Sequence, residues 1–127
     1  MSSELRPRQG QLYFAELEEI GQKLVLIVSK NEINDVMHPV VCLVTSTERE
    51  RSRPTFVSIY PPEGGIWKPS TILCHALVTL ETWRLAPEPI GSVSERTMDA
   101  VREKLVVVFG AGSTASTTED EDGESES

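Results

Sequence analysis

The sequence predicts a mainly β domain: a small antiparallel sheet or barrel with one long C-terminal α-helix packed on it. Between positions 11 and 80, most apolar residues fall in short runs rich in Val, Ile, Leu and aromatic residues, separated by polar or Gly/Pro-containing segments. After position 94 the apolar residues instead recur with helical spacing. The chain has 127 residues, 39% of them hydrophobic, which is enough for one compact core but not for two.

Five segments have the composition of β-strands. Residues 23–29 form a continuous apolar run, which is typical of a strand buried on both faces, and residues 54–59 alternate with period two. Residues 61–65 (PPEGG) are a strong turn signal, and residues 30–38 are expected to form a polar loop. The predicted strands comprise residues 11–17, 23–29, 39–46, 54–59 and 70–80.

The terminal helix is predicted over residues 94–109. Ser94 is a suitable N-cap, because its hydroxyl can accept a hydrogen bond from a free N–H group of the first turn. Gly110 can end the helix. An apolar stripe with spacings of three and four residues is expected to face the sheet; its members are Met98, Val101, Leu105 and Val108.

The charge divides unevenly along the chain. The formal net charge is −8, from 12 Lys and Arg against 20 Asp and Glu, but six of the acids lie in residues 111–127. That segment is predicted to be a disordered acidic tail, and residues 1–7 a flexible N-terminus. The remaining domain, residues 8–110, is nearly neutral, so the total acidity does not exclude a nucleic-acid ligand. The tail is expected to aid solubility or, alternatively, to lie over a basic groove as a nucleic-acid mimic.

The sequence does not indicate a membrane span, a metal site or a cofactor. No apolar stretch approaches the roughly 20 residues of a membrane span, and the first residues lack the apolar run of a secretory signal, so we expect a cytoplasmic protein. Cys42 and Cys74 lie in strand-like runs and are expected to be buried free thiols. Together with His38 and His75 they show no zinc-type ligand spacing, so no metal is predicted.

Seven short motifs follow one another between residues 8 and 110. They are 10–17 (GQLYFAEL), 25–29 (VLIVS), 43–46 (LVTS), 54–57 (PTFV), 64–65 (GG) with 68–74 (KPSTILC), 79–80 (TL) with 84–85 (RL), and the helix to Gly110. In this order and spacing they resemble the MazF/PemK family of type II toxin–antitoxin toxins. The resemblance implies a small SH3-like barrel with a C-terminal helix, a fold shared with CcdB toxins, and a homodimer.

The resemblance also implies an activity. Members of the family cleave single-stranded RNA at short sequences without a metal or other cofactor, and a cognate antitoxin neutralises them. The 2′-OH of the RNA attacks the adjacent phosphorus and leaves a 2′,3′-cyclic phosphate and a 5′-OH. An arginine at the start of the second strand supplies positive charge and a proton, and a threonine at the end of the third strand holds the phosphate. Carried over, these roles make Lys23 and Thr45 the catalytic candidates.

Lys23 marks a departure from the family pattern, because Lys23-Leu24 stands where members usually have Arg-Pro. A lysine neutralises phosphate as a point charge but lacks the planar fork of an arginine, so we expect weakened activity. Each candidate also has a purely structural alternative. Lys23 can be a solvated residue at a strand start, and Thr45 a strand-end residue that bonds its own backbone.

Further candidates surround this pair. Ser46, Thr47, Arg51 and Arg53 are candidate RNA-binding residues near the end of the third strand, with a solvated loop as the alternative. His75 is a possible acid/base group, because an imidazole titrates near neutral pH, although it lies on an apolar strand. Trp67 and Trp83 are candidates for base stacking, with packing as the alternative that we favour for Trp83.

Three functions remain open at this point. The first is a sequence-specific endoribonuclease toxin, partnered by single-stranded RNA and an antitoxin. The second is a protein-binding toxin of the CcdB type, and the third is a cleavage-deficient binding or regulatory module. Thr45 and the polar loops favour the first, whereas the Lys23-Leu24 replacement favours the third.

Overall fold

The computed structural model describes residues 6–46 and 53–110. This part of the chain forms six strands, a short helix and a long helix. The strands are β1 (Gln11–Leu17), β2 (Gly21–Ile27), β3 (Val40–Thr45), β4 (Phe56–Ile59), β5 (Ser70–Thr79) and β6 (Gly91–Ser92). The helices are α1 (Asn31–Asn34) and α2 (Glu95–Phe109), and single 3₁₀ turns lie at Glu63–Gly65 and Thr82–Arg84.

The strands pair in the order β4-β5-β3-β2-β1-β6, and every pairing is antiparallel. The sheet curls into a half-barrel, and α2 packs across β4 and β5. The mainly β fold class with a C-terminal helix, predicted from the sequence, is therefore confirmed.

The sheet is buried on both faces at its centre. Val25, Leu26 and Ile27 are successive residues of β2, and none of them is exposed to solvent. Their alternation divides the core in two, since successive side chains of a strand point to opposite faces. Leu26 belongs to the cluster under α2, whereas Val25 and Ile27 pack with Tyr13 on the other face. A strand buried on both faces was predicted for this run, and the burial confirms it.

Helix α2 begins and ends as the sequence predicts. The Ser94 hydroxyl accepts a hydrogen bond from the backbone N–H of Thr97 at 3.1 Å, and Gly110 follows the helix in a left-handed conformation. Met98 and Val101 are buried, and Leu105 packs against the same cluster. Three of the four predicted stripe residues therefore face the sheet, while Val108 is not part of this cluster.

Some local features differ from the sequence expectations. The predicted polar loop 30–38 contains the single turn of α1, which the buried Asn34 ties to Ser29 through side-chain and backbone hydrogen bonds. Strand β6 was not predicted, because two residues carry no periodicity. Cys42 and Cys74 are buried free thiols, as expected.

The two chain termini lie largely outside the described residues. Of the predicted flexible N-terminus, residues 1–5 are not described, while Arg6 is exposed and Pro7 is buried. The predicted acidic tail, residues 111–127, also lies outside them. Within the described ranges, no helix is long and apolar enough to cross a membrane.

Candidate functional site

Lys23 and Thr45 meet across neighbouring strands at one end of the sheet. In the antiparallel pairing of β2 with β3, Leu24 lies opposite Val44, so the next step of the register brings Lys23 opposite Thr45. Directly opposed residues of such a pair have Cβ atoms about 4.5–5.5 Å apart. Lys23 is half-buried, and the Thr45 side chain is 8% exposed. The two candidates that the sequence placed 22 positions apart are therefore neighbours.

A pocket of about 230 Å³ opens beside this pair. Its wall is formed by the end of the sheet and by the segment that connects the 3₁₀ turn Glu63–Gly65 to β5. Besides Lys23 and Thr45, the lining residues are Phe14, Gln22, Leu24, Val44, Ser46, Ile66, Trp67, Lys68 and Ser70. The pocket thus gathers hydroxyl groups, two ammonium groups and an aromatic wall in one place.

The charged side chains among the described lining residues of the pocket are positive. Lys23 and Lys68 are its titratable lining residues, and no carboxylate or imidazole is among those described. Neither ammonium group makes an ion pair within the described residues, in contrast to Arg84, which is bound by Glu81 at 2.7 Å and Glu18 at 3.2 Å. Positive charge that has no ion-pair partner among the described residues favours an anionic ligand such as a phosphate, all the more in a partly enclosed site.

The segment 66–68 is fixed by the glycine turn before it. Gly65 has φ +83°, and a Cβ atom there would lie 2.1 Å from the carbonyl oxygen of Ile90. Gly91 approaches the turn equally closely, since its Cβ would lie 2.5 Å from the carbonyl oxygen of Gly64. Only glycine fits this contact. Ile66, 5% exposed, then anchors the chain in the core, so Trp67 and Lys68 are held at the rim.

The other predicted RNA-binding residues fall in different places. Ser46 is exposed and lines the pocket directly after β3. Arg53 is exposed just before β4 and is not among the lining residues. Thr47 and Arg51 lie outside the described residues.

His75 does not line the pocket. The register between β3 and β5 shifts between Cys42 and Leu43, so that residues 74–76 bulge from β5, and His75 points to solvent there. Its Nδ1 atom lies 3.0 Å from the Thr55 hydroxyl, and its ring stacks on Phe56 with centroids 5.9 Å apart. The structure therefore separates the possible acid/base residue from Lys23 and Thr45.

Sequence reasoning missed Lys68 as a site residue and Phe14 and Gln22 as lining residues. Trp67 was named for stacking but not connected with Lys23. The available signal was the Gly64-Gly65 pair three residues before Lys68, which marks a close backbone approach. For metals, no group of three or more His, Cys, Asp or Glu side chains in the described ranges could hold an ion.

Comparison with family models gives a match over residues 8–109 to the PemK-like, MazF-like toxins of type II toxin–antitoxin systems. The chain belongs to this family. The match spans the whole folded domain, including every described pocket residue. Comparison with curated protein sequences gives no match.

Solved structures of the family share the fold. One is described as an endoribonuclease in complex with its cognate antitoxin from a mycobacterial species; it is 28% identical, with a TM-score of 0.72, over 84% of this chain and 97% of that one. A mycobacterial endoribonuclease is 27% identical, with a TM-score of 0.70, over 84% and 93% of the two chains. The MazE–MazF complex from Deinococcus radiodurans matches with a TM-score of 0.69 at 23% identity, over 86% and 100%.

Proposed function

We propose that this MazF-like toxin is an endoribonuclease that cleaves single-stranded RNA in the pocket beside Lys23 and Thr45. The observation that carries the proposal is that Lys23, at the start of β2, and Thr45, at the end of the neighbouring β3, line one pocket, to which Lys68 adds a second ammonium group. Neither ammonium group has an ion-pair partner among the described residues. A scissile phosphate needs positive charge and hydrogen-bond donors around it, and this pocket offers both. The similarity to mycobacterial endoribonucleases supports the same reaction class.

The reaction requires no group from outside the RNA as nucleophile. The 2′-oxygen attacks the adjacent phosphorus, the bond from phosphorus to the 5′-oxygen breaks, and the products carry a 2′,3′-cyclic phosphate and a 5′-OH. Lys23 neutralises the charge of the phosphorane and gives a proton to the leaving 5′-oxygen. Thr45 donates its hydroxyl to a non-bridging phosphate oxygen. In this scheme the 2′-OH proton passes to water.

Partners follow from the same family membership. Similar structures are described as a complex with a cognate antitoxin and as MazE–MazF complexes. We therefore include in the proposal a cognate antitoxin as protein partner, a homodimer as the active form, and action in the cytoplasm. An antitoxin segment with carboxylates would match the positive charges of Lys23 and Lys68.

Incubation of the purified protein with a long RNA in EDTA tests the proposal. We expect cleavage at a short recurring sequence, with 2′,3′-cyclic phosphate and 5′-OH ends on mapping. Lys23→Ala removes the only described cation on β2, and this loss of a preorganised donor is expected to lower the rate by about 10²–10³-fold or more. Thr45→Ala is expected to weaken cleavage while the fold, checked by circular dichroism, stays intact.

His75→Gln serves as the matched control, because His75 is a titratable residue outside the pocket. We expect its rate and pH–rate profile to equal those of the wild type. A pH-dependent step near neutrality that vanishes in His75→Gln would instead make His75 the acid/base group. If wild-type protein leaves RNA intact in EDTA and in magnesium, the nuclease proposal fails and a cleavage-deficient binding module replaces it.

A further inference from the structure

The pocket has an aromatic wall that the cleavage chemistry does not use. The Trp67 side chain is 66% exposed, although it follows the buried Ile66 and lies on a segment fixed by the glycine turn. Its ring packs against the ring of Phe14, with centroids 6.0 Å apart and planes inclined at 41°. Phe14 contacts the indole from the pocket side. A large part of the indole surface remains exposed to solvent. A large exposed aromatic side chain held in place at a pocket rim is a typical ligand-binding feature.

The side chains around Trp67 are of the kinds that bind a nucleotide: an aromatic ring for the base, and ammonium and hydroxyl groups for the phosphate. Lys68 adjoins it in sequence, and both line the same pocket as Lys23 and Thr45. At about 230 Å³ the pocket is smaller than the roughly 300–1,000 Å³ of sites for drug-sized ligands, so it suits a single planar ring. Stacking of a base on an aromatic ring is worth about 1–3 kcal/mol in single-strand binding proteins.

We propose that Trp67, supported by Phe14, is the stacking platform for a nucleobase beside the scissile phosphate, and that Lys68 binds the neighbouring backbone phosphate. This inference rests on the proposed RNA-cleaving function and assigns its base-binding subsite. Trp67 is a positioning residue here: it holds the strand so that the phosphate lies between Lys23 and Thr45, and it takes no part in bond making.

Trp83, the other tryptophan of the chain, lacks these surroundings. It is 72% exposed, but its ring meets the edge of His38 at a centroid distance of 5.6 Å and an angle of 89°. The adjacent Arg84 is neutralised by Glu81 and Glu18. Trp83 is therefore a matched control: an exposed indole of the same chain that lies outside the pocket and whose neighbouring cation, Arg84, is paired.

Tryptophan fluorescence with a probe that cannot be cleaved tests the subsite. The probe is a short single-stranded DNA, which lacks the 2′-OH nucleophile, compared with an abasic deoxyribose-phosphate oligomer of equal length. In Trp83→Phe, Trp67 is the remaining tryptophan, and we expect quenching by the DNA but not by the abasic oligomer. In Trp67→Phe we expect no quenching by either.

Affinity and kinetics complete the test. Trp67→Ala is expected to bind the DNA about 5- to 150-fold more weakly, the equivalent of the stacking energy, and to raise KM for RNA more than it lowers kcat. Far-UV circular dichroism of Trp67→Ala checks that the substitution leaves the fold unchanged. Equal affinity of DNA and abasic oligomer, unchanged binding by Trp67→Ala, or no DNA binding at all would overturn the subsite.

The two proposals can fail separately. If Trp67 fluorescence reports base-dependent binding while RNA remains intact, the base-binding subsite is supported and the cleavage proposal is contradicted. If RNA is cleaved but Trp67→Ala changes neither KM nor DNA affinity, the nuclease stands and the subsite falls.

Discussion

By the family resemblance, Lys23 is a departure from the usual pattern, in which an arginine is expected at this position. An arginine at this position would contact a phosphate through two parallel N–H groups, whereas an ammonium group acts as a point charge. The structure offers a partial replacement, because Lys68 brings a second ammonium group to the same pocket from the segment before β5. Two separate cations can share the charge of a phosphorane, but they do not fix its orientation as a guanidinium does.

We therefore expect Lys23→Arg to raise the cleavage rate, by about tenfold if it adds one hydrogen bond to a charged group. Single-turnover kinetics on an RNA that contains the mapped cleavage sequence measure the effect. Lys30→Arg, an equivalent change at an exposed position outside the pocket, is the control and is expected to have no effect. An unchanged or lower rate for Lys23→Arg would show that Lys68 already supplies the second contact.

Single residues differ in how far their roles can be predicted from the sequence. Lys23 and Thr45 were named together through the family resemblance, and the antiparallel pairing of β2 with β3 accounts for their proximity, because it brings the start of one strand to the end of the next. Trp67 and Lys68 could not be placed beside them. Their position depends on the contact of the Gly64-Gly65 turn with residues 90–91, a non-local packing that leaves no periodic signal.

Among the secondary-structure elements, the 3₁₀ turn Glu63–Gly65 and helix α2 are connected by the carboxylate of Glu63. Glu63 Oε2 accepts hydrogen bonds from the backbone N–H of Ser94 at 3.0 Å and from the Thr97 hydroxyl at 2.6 Å. The carboxylate thus lies at the N-terminus of the helix, where negative charge is stabilising. Burial raises the pKa of Glu63, but the hydrogen bonds from Thr97 and Ser94 outweigh it and leave the pKa below its usual value.

Glu63→Gln is expected to lower the free energy of unfolding at pH 7 by about 1 kcal/mol, the typical value of a lost helix cap. Because the folded-state pKa is depressed, the stabilisation is present above the ordinary pKa of a glutamate, about 4.3, and is lost as pH falls through the lower folded value. Urea unfolding at pH 7 and pH 3 should therefore show the difference between wild type and variant shrinking at low pH.

Glu95→Gln is the control for this prediction. It removes one negative charge from the first turn of α2, but Glu95 is exposed and forms an ion pair with Arg102 at 3.1 Å. An exposed ion pair contributes little to stability, so we expect the free energy of unfolding to change by less than about 0.5 kcal/mol. Equal losses of stability in the two variants would mean that Glu63 stabilises the helix only through its negative charge and not through its hydrogen bonds.

Elements with a long periodic signal were the predictable ones. The bounds of β1, β3, β5 and α2 agree with the prediction within one residue. β2 was predicted two residues too late at both ends, and β4 two residues too early at its start. By contrast, α1 depends on the hydrogen bonds of Asn34 with Ser29, and β6 on pairing with Gln11 and Leu12. The bulge in β5 likewise arises from the mismatch with β3 and carried no recognisable signal.

For the whole molecule, the described surface retains more apolar area than a small monomer needs. Val36, Met37 and Trp83 are 78%, 63% and 72% exposed, and Phe109 at the end of α2 is 67% exposed. Scattered apolar residues are normal on a protein surface, but several large side chains exposed to this degree are typical of surfaces that bind protein. The family resemblance connects such surfaces with a symmetric homodimer.

We therefore predict a homodimer in solution. Light scattering at tens of micromolar protein should give about twice the 14.1 kDa chain mass. Because burial of apolar area is not screened by ions, the dimer should persist when salt is raised from 0.1 to 0.5 M. Association driven by the uneven charge of the chain would instead dissociate as the Debye length shortens from about 10 Å. A monomer at every concentration and salt level would contradict the prediction and would require that one chain alone binds the RNA.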